Sequence, residues 1–399
     1  MLEVDAQSFL VIVTVAALAA FIAAFVGRRL ALPVVVVEIV AGILVGPELL
    51  DIAQPDEFID FFSNLGLGML FFFAGYEIDF ERIRGAPLRL AAIGWALSLA
   101  LAYSLGGLLA LAGVVLSLVF TGSAMATTAI GTLIPILSDA GELRTRFGTY
   151  LLGAGAMGEF GPILLITVVF STKSAAANAL VMVVFVLLTV ITALGAVRGA
   201  VKGWELIERT LETSGQLAIR IAVVLVFALA ALADSLGLDL LLGGFVAGVI
   251  VRVALKGREV TVFESKLTAV GYGFLIPFFF ITSGLKFNLS ALTEDPIQLL
   301  ELPLFLALFL VVRGVPALLL YRRELDRRDR RALGVFCSTQ LPLVVAITTI
   351  AIDQGHMRAS TAASLVGAGI LSTAIFPLLG LHLRGERTRA VPEPSPAKA

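Results

Sequence analysis

The sequence predicts an all-α polytopic membrane protein of about thirteen transmembrane helices, built as two inverted-topology repeats with crossed, discontinuous helices. Three observations support this fold class. Apolar residues make up 59% of the 399 positions and charged residues 15%, against about 45–50% and about 25% in soluble domains. Apolar runs long enough to cross a bilayer recur along the whole chain, and two motifs recur at nearly equal offsets.

Each predicted span is an apolar run bounded by charged or turn-forming residues. The first is expected to be a retained helix, because Glu3 and Asp5 precede it rather than the basic residues of a cleavable signal. The second and ninth are short and rich in glycine. The predicted spans are 8–26, 31–47, 58–77, 86–111, 113–137, 147–170, 175–197, 216–236, 238–254, 267–286, 297–320, 332–352 and 360–383.

Composition excludes several classes of function. The 29 basic and 30 acidic residues nearly cancel, which argues against a nucleic-acid partner. Cys337 is the single cysteine, so neither a disulfide framework nor a thiolate metal cluster is expected. His356 and His382 are far apart in sequence, which argues against a histidine zinc site, and no cofactor is expected. The bilayer is the expected partner.

Charge distribution predicts the orientation. Most basic residues fall in alternate connections, which places the N-terminus outside and the C-terminus in the cytoplasm of a prokaryotic-type inner (plasma) membrane. The segment 198–215 is expected to be an amphipathic cytoplasmic link, and 384–399 a proline-rich disordered tail. The membrane domain is therefore predicted over 1–383, with connections too short to hold a nucleotide-binding domain.

An internal repeat is indicated by paired motifs. The string VAGILV (40–45) returns as VAGVIV (246–251), 206 positions later, and GYEIDF (75–80) is matched by GLKFNL (284–289), 209 positions later. A shift of seven spans is odd, so the two copies must cross the membrane in opposite senses. We expect repeat one over about 8–170, a linking helix at 175–197 and repeat two over about 216–383.

The fifth and twelfth spans, paired by the same shift, are predicted to be broken helices. They carry TGSAMATT (121–128) and CSTQLP (337–342), whose small, hydroxyl and proline residues weaken a helix and offer oxygen ligands. The alternative is that these hydroxyl groups bond back to their own helix. The candidate ligands in the two segments are Thr127, Thr128, Thr339 and Gln340.

Glu159 is the main candidate for a transport site, because it lies near the middle of the sixth span and intramembrane ionisable groups are costly. Pro162 removes the amide that would bond the Gly158 carbonyl, so a carboxyl group and a freed carbonyl are expected side by side. Burial favours the neutral form of a carboxyl group and a bound cation favours the charged form. Such a group holds either a proton or a monovalent cation. The alternative is a protonated structural glutamate bonded to a neighbouring helix.

Three other charged residues could support this site. Glu38 lies in the middle of the second span, as a second site or, preferably, in a structural or dimer-interface role. Arg313 must have a partner, either a carboxylate or helix carbonyls. Lys286 could pair with Glu159 or extend to the outer surface. Gly153, Gly155 and Gly158 match G-x-G-x-x-G inside an apolar helix, where close helix packing is the better interpretation than nucleotide binding.

The runs PVVVVEIVAGILVGPELL (33–50), LGLGMLFFFAGYEIDF (65–80) and IPFFFITSGLKFNLS (276–290) resemble the monovalent cation:proton antiporter-2 family, which includes sodium/proton and Kef-type potassium/proton antiporters. The resemblance covers about 8–383. It implies a homodimer with a scaffold and a mobile core, elevator-type transport, crossed fifth and twelfth spans, and a cation site at Glu159.

Two departures from the family pattern matter. Family members commonly carry Asp-Asp, Asn-Asp or Gln-Asp where this chain has Gly158 and Glu159, and one missing carboxylate resembles the electroneutral members. The nucleotide-binding domain of Kef-type systems is not found in this chain, so gating by nucleotides is expected only through another subunit.

The sequence therefore predicts a non-enzymatic exchanger of Na⁺ or K⁺ for protons, with one-for-one, electroneutral coupling through Glu159. The main alternative is a sodium-coupled organic-anion symporter with similar inverted repeats. An intramembrane enzyme is disfavoured because no HExxH motif is present, and a passive channel fits a titratable carboxyl group less well than a carrier does.

Overall fold

The computed structural model describes residues 5–26, 33–78, 80–169, 187–195, 208–236, 240–256, 260–293 and 296–385, with residues 184, 185, 198 and 258. These residues form helices, turns and loops without a strand, which confirms the all-α class. In chain order the main helices are α1 (Ala6–Val26), α2 (Val34–Val45), α3 (Glu57–Glu77), α4 (Ala86–Leu111), α5 (Leu118–Met125), α6 (Ile130–Asp139), α7 (Arg146–Val169), α8 (Leu217–Ser235), α9 (Leu240–Ala254), α10 (Thr261–Leu285), α11 (Pro296–Phe309, continued through Leu310–Gly314 to Val315–Leu320), α12 (Arg327–Cys337), α13 (Pro342–Asp353) and α14 (Ala359–Arg384).

Within the described ranges, seven helical segments are long and apolar enough to cross a membrane, and four further apolar helices are shorter. The polytopic membrane class is thus supported, while the count of thirteen spans stays a prediction. Most of the predicted seventh span, 175–197, lies outside the described residues. The same is true of half of the link 198–215 and of the predicted disordered tail 384–399 beyond residue 385.

The chain divides into two compact units, and α7 passes from one to the other between Glu159 and Phe160. Unit 1 comprises Met1–Asp79 and Phe160–Ser290, and unit 2 comprises Phe80–Glu159 and Ala291–Ala399. Each unit therefore combines two separate segments of the sequence.

Unit 1 is held together by two close helix crossings built on glycine. Gly42 of α2 and Gly284 of α10 face each other, and a Cβ atom added at either would meet backbone of the other helix. Gly75 of α3 and Gly248 of α9 meet the opposite backbone in the same way. Small residues let helix backbones approach closely, which is the main source of packing energy inside a membrane. These four glycines belong to the paired motifs of the sequence.

Unit 2 contains the two broken helices. The chain leaves α5 at Met125 and resumes as α6 at Ile130; it leaves α12 at Cys337 and resumes as α13 at Pro342. The predicted breaks in the fifth and twelfth spans are therefore confirmed. Pro342 at the start of α13 lacks an amide hydrogen and so suits the first turn of a helix.

Some helix ends differ from their predicted positions. The twelfth span begins at Arg327 rather than 332, because the Asp326 carboxylate accepts the Asp329 amide at 2.8 Å and caps the helix. The fifth begins at Leu118 rather than 113, since Gly113 adopts a positive φ of 75° and Ser117 provides the cap. The tenth begins at Thr261, six residues before the predicted 267.

One end of unit 2 is fastened by a buried ion cluster. Arg384, at the end of α14, donates to both carboxylate oxygens of Glu142 at 2.8 and 2.9 Å and also contacts Asp329. Its guanidinium lies 4.4 Å from the ring centre of Phe147. A bidentate arginine–carboxylate pair that also stacks on an aromatic ring fixes geometry better than a lysine would. The cluster joins the last helix to the start of α7.

Candidate functional site

The two unwound segments of unit 2 cross and bond each other. The Ala129 amide donates to the Thr339 carbonyl at 2.8 Å, and the Gln340 side-chain amide donates to the Met125 carbonyl at 2.8 Å. The Thr127 hydroxyl donates to the Gln340 side-chain oxygen at 3.1 Å. Thr127, Thr339 and Gln340 were candidates from the sequence, whereas Ala129 and Met125 were not. Their mutual bonds satisfy backbone and side-chain groups that the breaks in the helices leave without helical partners.

Four half-helix ends meet at this crossing and create opposite partial charges. The starts of α6 and α13 present amides that have no acceptor within their own helix, and the ends of α5 and α12 present carbonyls that have no donor within theirs. A helix carries about half a positive charge at its N-terminus and about half a negative charge at its C-terminus. An acidic group is therefore favoured beside the start of α6, and a basic group beside the end of α12.

Glu159 lies beside the start of α6. Its side chain is 1% exposed, and its carboxyl group accepts from the backbone amides of Gly131 and Ile130. The second carboxyl oxygen, Oε2, forms no hydrogen bond within the described residues. One oxygen of the carboxyl group is thus fixed by the helix start, and the other has no partner among the described residues.

The Gly158 carbonyl has a different environment from the one that the sequence predicts. Pro162 does remove its helical partner, but the Thr128 amide donates to it at 2.9 Å. The prediction of a free carbonyl is therefore wrong, because the unwound segment supplies the missing hydrogen-bond donor. This bond fixes α7 to the crossing. It places Thr128 against the residue that directly precedes Glu159.

Arg313 neutralises the opposite pole of the crossing. Its side chain is 4% exposed and lies in the π-turn of α11. It donates to the Thr128 hydroxyl at 2.9 Å, the Ser98 hydroxyl at 3.2 Å, and the carbonyls of Ala154 and Cys337 at 3.1 and 3.4 Å. Among the described residues its partners are therefore helix carbonyls and hydroxyls rather than a carboxylate. The Cys337 carbonyl is at the C-terminus of α12, where a cation is favoured.

The contacts of Arg313 explain the glycine that departs from the family pattern. A Cβ atom added at Gly158 would lie 2.5 Å from Arg313 Nη2 and 2.7 Å from the Thr128 hydroxyl oxygen. The space that an acidic or amide side chain would need at this position is therefore filled by the guanidinium and by Thr128. In this chain, Arg313 and Gly158 form a matched pair.

Replacing Gly158 with alanine is expected to displace Arg313 or Thr128, to destabilise the protein by about 1–3 kcal/mol and to slow transport. The matched control is Gly153→Ala on the same helix, where the nearest atom to an added Cβ is the Pro87 carbonyl oxygen at 3.4 Å. Thermal unfolding in detergent and ion flux in vesicles measure the two effects. Equal melting temperatures and fluxes for the two variants would contradict the pairing of Gly158 with Arg313.

The remaining sequence candidates lie in both units. In unit 2, the Thr339 carbonyl accepts a hydrogen bond at the crossing, and the Thr339 hydroxyl forms no hydrogen bond within the described residues. In unit 1, Lys286 forms an ion pair with Asp60 at 2.6 Å, with both side chains partly exposed. Glu38, also in unit 1, lines an apolar cavity.

Sequence reasoning missed two hydroxyl groups that hold the site. Ser98 contacts Arg313, whereas Ser104 of the same helix bonds back to the Ala100 carbonyl at 2.8 Å. Ser372 of α14 accepts the Gln340 amide at 2.9 Å and donates to the Gln340 carbonyl at 3.0 Å. A lone serine in an apolar helix gives no signal that separates these roles, because bonding back to the helix is the usual outcome.

A polytopic helical membrane protein with a buried carboxyl group at crossed, broken helices belongs structurally to the secondary transporters. Residues 16–381 match the family model described as "Sodium/hydrogen exchanger, transmembrane". The chain is a member of that family.

Individual relatives agree with the family match. The chain is 27% identical to the putative Na⁺/H⁺ antiporter YjbQ of Bacillus subtilis over 88% of its length, and the match spans 59% of that longer protein. It is 26% identical to the probable Na⁺/H⁺ antiporter 3 of Methanocaldococcus jannaschii, covering 89% of this chain and 92% of the relative. These relatives are named as transporters rather than enzymes.

The fold is similar to that of a solved structure, the sodium proton antiporter MjNhaP1 from Methanocaldococcus jannaschii. The TM-score is 0.60 at 15% sequence identity, and the alignment covers 95% of this chain and 99% of the other. At this identity the likeness concerns the fold alone. The broader resemblance to cation:proton antiporters is thus supported, and the antiporter-2 subdivision is not decided by these comparisons.

Proposed function

We propose that this protein is a secondary active transporter that exchanges a monovalent cation, Na⁺ or K⁺, for protons, and that Glu159 carries both. The observation that supports it most directly is the Glu159 carboxyl group, which is buried at the crossing with one oxygen bonded to a helix start and the other without a partner in the described part of the chain. Membership of the sodium/hydrogen exchanger family and the names of the relatives point to Na⁺ and protons.

Binding of the proton and of the cation is mutually exclusive in this scheme. In the protonated state the carboxyl group is neutral, which suits its buried position. Binding of a cation supplies the counter-charge, so the proton is released. Oxygen atoms are the preferred ligands of hard monovalent cations, and the side chains of Thr127, Thr128, Thr339 and Gln340 provide such atoms at the crossing. One carboxyl group that alternates between the two ions gives exchange.

Finer features of the proposal follow from the same residues. One titrating carboxyl group predicts one-for-one, electroneutral exchange, and Gly158 in place of a second acidic residue agrees with that ratio. The resemblance to the antiporter-2 family suggests an elevator-type mechanism and a homodimer, and the distribution of basic residues suggests placement in the plasma membrane with the N-terminus outside. The two inverted repeats of the sequence, about 8–170 and 216–383, would supply one broken helix each.

The organic-anion symporter is the less favoured alternative. The ionised Glu159 carboxyl group, whose Oε2 has no partner among the described residues, would repel an organic anion. The Arg313 donors already bond Thr128, Ser98 and two carbonyls. The names of the relatives also favour cation exchange.

Proton flux in everted vesicles tests the proposal. NaCl, KCl and LiCl are titrated into respiring vesicles loaded with a pH-sensitive dye, and at least one cation is expected to trigger release of protons. Vesicles containing inserted protein that respond to none of the three cations would overturn the antiporter. In proteoliposomes, the rate is expected to be independent of an imposed potential, and a measured current would contradict one-for-one coupling.

A further inference from the structure

A second buried carboxyl group lies in unit 1. Glu38 of α2 is 4% exposed and forms neither a hydrogen bond nor an ion pair with the described residues. An ionised carboxylate in apolar surroundings is costly unless a counter-charge reaches it. The group is therefore either neutral or the recognition element of a positively charged ligand.

Glu38 lines a cavity of about 340 Å³. The walls come from the middle of α1, the first turn of α2 and the part of α10 that contains a π-turn at Gly271–Leu275. π-Turns insert an extra residue into a helix and are frequent at functional sites. Gly273 of this turn faces open space, because a Cβ atom added there would meet nothing within 4 Å.

The chemistry of the walls restricts the ligand. Except for the Glu38 carboxyl group and the Tyr272 hydroxyl, the lining side chains are apolar, and Tyr272, Phe274 and Phe278 contribute aromatic rings. Hard inorganic cations require several oxygen ligands, so one carboxyl group in this setting does not suit them. Aromatic rings beside a carboxylate are the usual surroundings of an organic ammonium group.

We propose that the Glu38 cavity is a binding site for a lipophilic organic ammonium ion. The positive head group lies against Glu38, and the apolar body fills the space between α1 and α10. The volume of the cavity equals that of about eleven water molecules in the liquid, at about 30 Å³ each. This volume falls in the usual range for small-molecule sites. This site is separate from Glu159 in the sequence and does not depend on the proposed exchange.

Saturable binding of radiolabelled n-octyltrimethylammonium to the full-length protein in lipid nanodiscs tests the site, with empty nanodiscs subtracted. Its charge is permanent, so pH does not alter the probe. Octanoate and 1-nonanol serve as anionic and neutral competitors of similar length. Glu38→Gln removes the charge, Gly273→Leu fills the cavity, and Gly107→Leu on α4 is the control, because its added Cβ also meets open space but does not line the cavity.

Wild type and Gly107→Leu are expected to bind equally. Glu38→Gln is expected to bind at least about tenfold more weakly, Gly273→Leu to lose binding, and neither competitor to displace the probe. Thermal unfolding verifies that each variant folds, and Ala16→Leu replaces Gly273→Leu if that variant does not. An absence of saturable binding to wild type, or equal binding to wild type and both cavity variants, would overturn the proposal.

Discussion

Replacing Glu159 with glutamine is expected to abolish cation-triggered proton flux while leaving the fold intact. Glutamine has nearly the same shape, and its carbonyl oxygen can accept the amides of Gly131 and Ile130 as the carboxyl group does. It cannot release a proton or carry negative charge. Flux is therefore expected to fall to the level of vesicles without the protein, and the melting temperature to stay at or above that of wild type.

Two further variants sharpen this test. Glu159→Asp keeps a titratable group and restores the residue type common in the family, so it is expected to exchange with an altered cation dependence. Glu38→Gln removes the other buried carboxyl group of the sequence candidates and is expected to retain exchange. Exchange by Glu159→Gln together with its loss in Glu38→Gln would move the transport site to Glu38.

The sequence was sufficient to predict the helical class and the position of the breaks. Serine, threonine, glycine and proline in the middle of apolar runs at 121–128 and 337–342 signal weak helices, and the chain unwinds at the end of the first cluster and inside the second. Glu159 could also be found, because a carboxyl group inside an apolar span is rare. These features are local, so a single stretch of sequence carries them.

The partners of the site could not be predicted, because they come from distant parts of the chain. Thr128 supplies the amide for the Gly158 carbonyl, and Ser98 supplies a hydroxyl for Arg313, across large separations in sequence. Proline alone shows that a carbonyl loses its helical donor; it does not show which segment replaces that donor. The predicted start of the twelfth span was also wrong, because a capping aspartate extends the helix into charged sequence as far as Arg327.

The meaning of Gly158 also depends on a distant residue. In the sequence it is a departure from the family pattern with no compensating change nearby. In the structure, the Arg313 guanidinium fills the space beside Gly158. A side chain at this position would clash with the guanidinium, which explains the glycine. A positive charge at this place also balances the carbonyl end of α12, while Glu159 balances the amide end of α6.

Replacing Arg313 with methionine is expected to destabilise the protein by about 1–3 kcal/mol, the cost of leaving buried acceptors without a donor. Methionine fills much of the volume but cannot donate, so the Ala154 and Cys337 carbonyls and two hydroxyl groups lose a buried donor. Arg313→Lys keeps the charge but has no planar fork and is expected to fall between wild type and methionine.

Thermal unfolding in detergent measures the effect of the Arg313 variants, and Arg322→Met, which removes an exposed arginine just beyond α11, is the control. Trp95 lines the same small space as Arg313, so its fluorescence, measured with the second tryptophan, Trp204, replaced by phenylalanine, reports the local packing before global unfolding. We expect Arg313→Met to shift this fluorescence and lower the melting temperature, and Arg322→Met to do neither. An Arg313→Met protein as stable as Arg322→Met would mean that the half-helix ends are balanced without a cation, and that Gly158 needs another explanation.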